Sequence, residues 1–335
     1  MHAPQDTPTS VVDWRAAGHR YYTQNLFLRS RFGQRVQKVS IDAGFTCPNV
    51  DGTVAVGGCT FCDNRSFSPS RRIPRQDIRA QIDEGIRGLR RRYRCDQFIA
   101  YFQPATNTYA PVEQLEPLYR KALGHPDVVG LSIGTRPDCI EDDVMDLLEQ
   151  LHSETFLSVE YGMQTMHDRS LDEMNRGHHH HVTRDAVRRS QERGLSVCLH
   201  IILGLPGETH EEMMETAREV AALGVDAVKI HNLYVVTNTV LAEQVQRGEV
   251  ELMTLEEYAR SATEFLEWLP PQMVVERVCG DAPPDYLVGP AWCQDKPAVL
   301  AAIDDQFQQR QGYQGKKYRA AATGELDSGP EMTAE

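Results

Sequence analysis

Three cysteines, Cys47, Cys59 and Cys62, fall within the sixteen-residue run CPNVDGTVAVGGCTFC, spaced C-x11-C-x2-C. Thiolates gathered in this way hold a soft metal or a cluster. Cys59 and Cys62 can put two sulfurs on one centre through a single turn. Cys47 reaches them across a loop carrying Gly52, Gly57 and Gly58, residues that let the backbone fold close. A closed structural zinc site takes four ligands, whereas three thiolates on a four-iron cluster leave one iron open. Spacing alone leaves three readings: an iron–sulfur cluster, a zinc knuckle completed from elsewhere, or a redox C-x-x-C pair. Two features bear on the choice. Phe61 stands just before the last cysteine, and no second C-x-x-C or His-x-His pair follows at zinc-ribbon distance.

The elements that must position these thiols alternate. Val36–Ile41 alternates apolar and polar residues as a strand does. Further strands are expected at Phe98–Gln103, Val128–Thr135, Phe156–Gln164, Ser196–Leu205 and Ala227–Val236. Helices are expected between them, several ending at a glycine such as Gly124, Gly194 or Gly224. Strand–helix alternation with right-handed crossovers gives a parallel sheet with helices outside. Six strands fall short of the eight of a closed barrel. The expected fold is therefore α/β, a partial, open (β/α)6 barrel of TIM type, with its active mouth at the strands' C-terminal ends.

The chain divides accordingly. Residues 1–35 read as a lead-in, disordered at its start, whose Tyr21, Tyr22, Leu26, Phe27 and Phe32 pack on the barrel. Residues 36–245 are the barrel. Residues 246–319 form an α-rich extension, including a helix from Thr254 with a capping box to Glu257 and a segment Val274–Val278 of strand character. Residues 320–335 read as a loose tail.

Composition bounds the class. The 335 residues are 41% hydrophobic, ample for one large core, and carry a net charge of −13. Without an 18-residue apolar run or a leader-like start, neither a membrane span nor secretion is expected. The other five cysteines have no compact motif and read as buried thiols, the default for this residue. Eight cysteines in such a chain point to metal binding in a reducing cytoplasm, not to a disulfide framework. Against the acidic total, Arg65 to Arg94 holds ten arginines and only Asp77, Asp83 and Glu84. That segment reads as a helix over 77–93 whose outer face is either merely solvated or a phosphate-binding surface. His178–His181 has the look of a metal tract and is read as a loop.

The strand ends carry polar residues that buried strands do not need: Gln103, Arg136, Asp138, Glu160, Gln164, Lys229 and His231. Any one of them could be a satisfied structural group, but seven at equivalent positions point to a site.

The cysteine stretch resembles the cluster loop of radical S-adenosylmethionine (SAM) enzymes. It takes the long-spaced form of relatives of the elongator catalytic subunit. AGFTCPNVDGTVAVGGCTFC from Ala43 is closer still to the YhcC-like branch, departing only at the first glycine of its signature. GTRPD at 134–138, NRGH at 175–178 and AWCQDK around Cys293 extend the likeness. The resemblance implies a [4Fe-4S] cluster on Cys47, Cys59 and Cys62, with SAM bound at the open iron. It implies cofactor contacts at Phe61, Gln103, Glu160 and Gln164, and at Ile202, Gly204 and Pro206 in the turn after the fifth strand. Arg136, Lys229 and His231 are then candidate substrate contacts. Reductive cleavage of SAM to a 5′-deoxyadenosyl radical is the implied chemistry, fed by a reducing partner such as flavodoxin or ferredoxin. Elongator-type relatives suggest a tRNA substrate, the wobble uridine or its side chain. Their acetyltransferase domain has no counterpart here, so acetyl-CoA chemistry is not expected. The alternatives are a small-molecule oxidoreductase similar to anaerobic coproporphyrinogen oxidase, or a non-catalytic zinc-stabilised RNA-binding protein.

Overall fold

The computed structural model describes residues 12–72 and 75–319; the expected disorder at 1–10 and the loose tail from 320 lie outside them. Among the described residues nine strands are formed: β1 (Val36–Ile41), β2 (Gln97–Phe102), β3 (Val128–Thr135), β4 (Phe156–Gln164), β5 (Ser196–Leu203), β6 (Ala227–Asn232), β7 (Val235–Val236), β8 (Val274–Arg277) and β9 (Leu287–Gly289). Seven of them make one sheet in the order β1-β2-β3-β4-β5-β6-β8, every neighbour parallel. The sheet therefore has one strand more than the six expected. The added strand is the Val274 segment, which makes residues from the C-terminal extension part of the barrel itself. The expected strand 227–236 is broken at Leu233, where β7 leaves to pair antiparallel with β9.

Period-two alternation decides what each strand shows to either side. On β2, Phe98, Ala100 and Phe102 pack outward under the helices, while Tyr101 faces in. The outer layer is apolar: Leu115 and Tyr119, Val144 and Leu148, Ala186 and Val187, Met214 and Ala217 are all buried there. Each such side chain contributes roughly 1.5–3 kcal/mol of burial. The helix Ile78–Tyr93 covers β1 with Ile78, Ile82 and Ile86. The helix Leu255–Trp268 closes the far side, its N-terminus held by the expected capping box of Thr254 and Glu257.

The lead-in fills the barrel's bottom. Phe27 and Phe32 pack on Phe156, with Leu28, Val36 and Ile99 beside them. Thr23 bridges in parallel to Val275, so this segment also lies along the open edge of β8. The sheet curls far enough that Lys38 on β1 reaches Glu276 on β8 at 2.6 Å. No helix among the described residues is long and apolar enough to cross a membrane.

Candidate active site

The barrel encloses a cavity of about 1200 Å³ that opens at the strands' C-terminal ends. One wall is the cysteine loop. Beyond β1 the chain turns at Cys47, where Val50 N–H donates to Cys47 O (2.8 Å). Gly57 and Gly58 have φ of +87° and +80°, a conformation other residues adopt only under strain. They turn the chain back so that Gly58 N–H meets Asn49 O (2.7 Å). Cys62 N–H then closes on Cys59 O at 3.0 Å. All three cysteines line the cavity.

The NRGH stretch clamps this loop. Asn49 Nδ2 donates to Asn175 O (2.6 Å) and Arg176 O (2.9 Å), and Asn175 Nδ2 donates to Gly58 O (2.8 Å). Polar groups also point at the sulfurs. Arg176 Nη1 stands 3.7 Å and Asn49 Nδ2 3.5 Å from Cys59 Sγ, and Arg136 Nη1 is 3.9 Å from Cys47 Sγ. Arg136, read as a substrate contact, is thus placed beside a cysteine, gripped by Asp138 at 2.9 and 2.7 Å.

The donor set fits a cluster. Burial, then the neighbouring Cys59 and Cys47 thiols, push the Cys62 thiol up to about 12. That thiol resists ionising unless a cationic group binds it, and thiolate is the ligating form. Cys47, Cys59 and Cys62 are the thiols whose placement and chemistry fit a [4Fe-4S] cluster. Among the described residues the His178–His181 tract forms no metal site. His180 pairs with Glu219 at 2.9 Å and His179 with Asp172 at 2.9 Å. The remaining cysteines are free and buried, as expected.

Phe61 faces the cavity and packs with Ile202, Leu205 and Leu233, an apolar shelf beside the cysteines. Gln103 donates from Nε2 to Ser40 Oγ at 2.9 Å. Gln164 lines the cavity with φ +70°, strained for a residue with a side chain, and its amide makes no hydrogen bond among the described residues. The turn 202–207 is divided. Ile202 faces the main cavity, whereas Gly204 and Pro206 line a second hollow of about 500 Å³ with Met253 and Glu257.

The floor is an ion network. Glu160, fully buried, accepts from Lys38 (2.7 Å), His200 Nε2 (2.8 Å), Lys229 and Ser132. Glu276 takes the second bond of each lysine, at 2.6 and 3.3 Å. Burial opposes charge on Glu160, but Lys229, Lys38 and His200 outweigh it and hold its carboxyl well below the usual range. Glu160 and Lys229, expected to touch cofactor and substrate, are thus engaged with each other. Lys38, His200 and Glu276 went unnoticed in the sequence. The signal was there: a charged or imidazole residue at an inward position of an otherwise apolar strand, as in VQKVSI and CLHIIL.

Other polar groups of the cavity lining remain open. His231 lies 5.7 Å from the His200 ring, with a buried Nε2 that meets no partner among the described residues. Burial, then Arg277 and His200, keep it neutral, well below the usual imidazole range. Arg277 lines the same wall without an ion pair or hydrogen bond among the described residues.

The arginine-rich helix forms as expected, and its direction decides where its arginines lie. Gln81 exchanges hydrogen bonds with the backbone of Asp42, just past β1, whereas Arg35, just before β1, donates to Tyr93 O. The helix therefore starts at the mouth and ends at the bottom, and its sixteen residues span about 24 Å. Arg87, Arg91 and Arg94 are exposed at the far end from the cysteines. Arg90 is occupied by Asp96 and Asp127. Only Arg65 and Arg72 of the ten line the cavity.

Comparison with known proteins agrees with this geometry. Residues 53–220 match the model of the radical SAM superfamily and 225–309 that of the radical SAM C-terminal domain. The chain is 42% identical over 300 residues to the uncharacterized protein YtqA of Bacillus subtilis, covering 90% of this chain and 93% of that one. It is 27% identical over 202 residues to a tRNA uridine(34) acetyltransferase of Methanocaldococcus jannaschii, 59% of this chain but 36% of that protein. The solved structure of Methanocaldococcus infernus Elp3 shares the fold at a TM-score of 0.63 and 19% identity, over 83% of this chain and 64% of that one. With its cysteine loop, curled parallel sheet and a family match over half its length, the chain belongs to the radical SAM superfamily and uses a [4Fe-4S] cluster and SAM.

Proposed function

We propose that the protein modifies a tRNA nucleotide, the wobble uridine or its side chain, by radical SAM chemistry. The observation that carries this reading is the cavity. At about 1200 Å³ it exceeds the ~300–1,000 Å³ typical of a site for one small ligand. It has room for SAM against the cysteine wall and for a nucleoside against the wall of His231 and Arg277. Arg65, Arg72 and Arg277 at its edge supply positive charge for phosphates. The archaeal relative named for uridine 34 of tRNA supports the same substrate class.

When bound, the cluster and SAM supply a 5′-deoxyadenosyl radical that removes a hydrogen atom from the substrate. The chain's residues do the rest. Phe61 and Ile202 offer an apolar shelf for an adenine ring. Gln164 offers an unengaged amide at the end of β4. The Lys38–Glu160–Lys229–Glu276 floor closes the barrel below and leaves no net charge to draw water in. His231 and Arg277 offer donors to substrate carbonyls or anionic groups. Radical SAM enzymes need a reductant; a small carrier such as flavodoxin or ferredoxin, in the cytoplasm, fits this reading.

The test compares nucleosides in tRNA from a deletion strain and its parent. One modified uridine should be lost or replaced by its precursor. With dithionite and SAM, the purified protein should form 5′-deoxyadenosine faster on tRNA from the deletion strain than on parental tRNA. Identical nucleoside profiles with no stimulation would overturn the proposal.

A further inference from the structure

Two buried arginines stand against the cluster cysteines, and they differ in one respect. Arg136, 2% exposed, reaches Cys47 Sγ at 3.9 Å while Asp138 neutralises it through two bonds. Arg176, 6% exposed, reaches Cys59 Sγ at 3.7 Å and has no acidic partner within ion-pair distance among the described residues. Its Nη2 is fixed on Gly162 O at 2.7 Å, and its buried Nε has no partner. Gly162 makes the room: a Cβ there would come within 2.8 Å of Nη2. Asn49 adds a second donor to the same sulfur.

Reducing a cluster adds one negative charge. A cation held at hydrogen-bond range in a buried site favours that charge, and hydrogen bonds to the sulfurs and local net charge set cluster potentials. We propose that Arg176 is a positioning residue that tunes the cluster. Its guanidinium at Cys59, which Asp138 reaches only at longer range, raises the reduction potential, while Asp138 pairs directly with Arg136 and cancels its matching contribution at Cys47. The charge balance of this wall, three side chains from two loops, then sets how readily the electron donor reduces the cluster.

The experiment is a redox titration of the anaerobically reconstituted full chain without SAM, followed by the paramagnetic signal of the reduced cluster. Arg176→Gln should move the midpoint to a more negative value. A tenfold loss in the reduction equilibrium, about 59 mV for one electron, is the size expected. Arg176→Lys should recover most of it. Asp138→Asn should move the midpoint the other way, because Arg136 then keeps its charge. Opposite signs cannot come from general loosening of the loop. If Arg176→Gln fails to hold iron, Asp138→Asn decides alone. An unchanged midpoint in Arg176→Gln, or a midpoint in Asp138→Asn that stays or falls, would overturn the inference.

Discussion

The two polar regions of the barrel are built on opposite principles. At the floor, every charge has been answered: Glu160 and Glu276 share Lys38 and Lys229, and His200 joins Lys229 on Oε2 of Glu160. At the cysteine wall, the donors point at sulfur, and three thiols converge on the cavity with no carboxylate among them. The floor rests on strands, whose alternation fixes where each side chain points. The wall rests on two loops that lock each other through Asn49 and Asn175. A network that satisfies itself is scaffold; one that is complete only with a guest is a site. Burial and perturbed ionisation mark both regions, so neither property alone separates them.

The largest effect expected is at the wall. Cys47→Ala, Cys59→Ala and Cys62→Ala should each abolish the cluster, from about four iron per chain to background, and with it 5′-deoxyadenosine formation. Cys95→Ala and Cys139→Ala should retain iron. Iron analysis and absorbance near 400 nm after anaerobic reconstitution check this. Survival of the cluster in all three loop variants would erase the distinction drawn above.

At the floor the effect should fall on stability. Glu160→Gln leaves two buried lysines with one carboxylate, and breaking a buried pair costs about 3–5 kcal/mol. Iron binding should persist. The acid limb carries a sign. A carboxyl held below its unfolded value binds fewer protons when folded, so its stabilisation is complete above roughly pH 4.3 and is lost as pH falls through the folded value. The wild-type melting temperature should drop steeply in that window, and the variant's should drop less. A Glu160→Gln protein of normal stability but with weakened SAM binding would move Glu160 from scaffold to site.

Which of this could be read in the sequence depended on periodicity. The six strands, the capping box at Thr254 and the three cysteines were legible because each is a local pattern. The seventh strand was not counted, because Val274–Arg277 is four residues long and pairs with β6 across two intervening helices. Glu160 stood out in the sequence, but its protein partners did not: they come from β1, β5 and β6, 122, 40 and 69 residues away. Gly204 and Pro206 were grouped with Ile202 by motif, but the turn at Gly204 carries them to the far side of the shelf. Arg87 and Arg91 follow the cysteine loop in sequence but not in space. A helix that must return antiparallel to its strand takes its C-terminus to the opposite end of the barrel.

A smaller effect is expected at the apolar shelf between wall and floor. Phe61→Ala should weaken SAM binding by about 1–3 kcal/mol, the worth of stacking a base on an aromatic ring. The cluster should remain intact, since Phe61 packs on Ile202 and Leu233 and lends nothing to the thiols. Equilibrium binding of SAM to the reconstituted variant measures it. Unchanged affinity would place the adenine elsewhere, the hollow beside Gly204 and Pro206 being the next position to probe.

The smallest effect concerns which arginines meet RNA under the proposed function. Arg72 and Arg277 border the cavity, Arg72 lying 5.2 Å over the Tyr286 ring and Arg277 standing unpaired. Arg87 and Arg91 share one exposed face at the barrel's other end. Each phosphate neutralised releases counterions, so log K falls with log salt by about 0.7–0.9 per contact. Replacing Arg72 and Arg277 by Glu should weaken tRNA binding and flatten that slope by about two contacts. Replacing Arg87 and Arg91 should change neither, even though the charge change is identical. Equal total charge is what gives the comparison force: a diffuse field would respond to both pairs alike, whereas a rim contact responds to one. Gel-shift titrations of both double variants at two salt concentrations separate the cases. A loss confined to Arg87 and Arg91 would put the RNA against the bottom of the barrel, too far from the cysteines for its base to be the one that reacts.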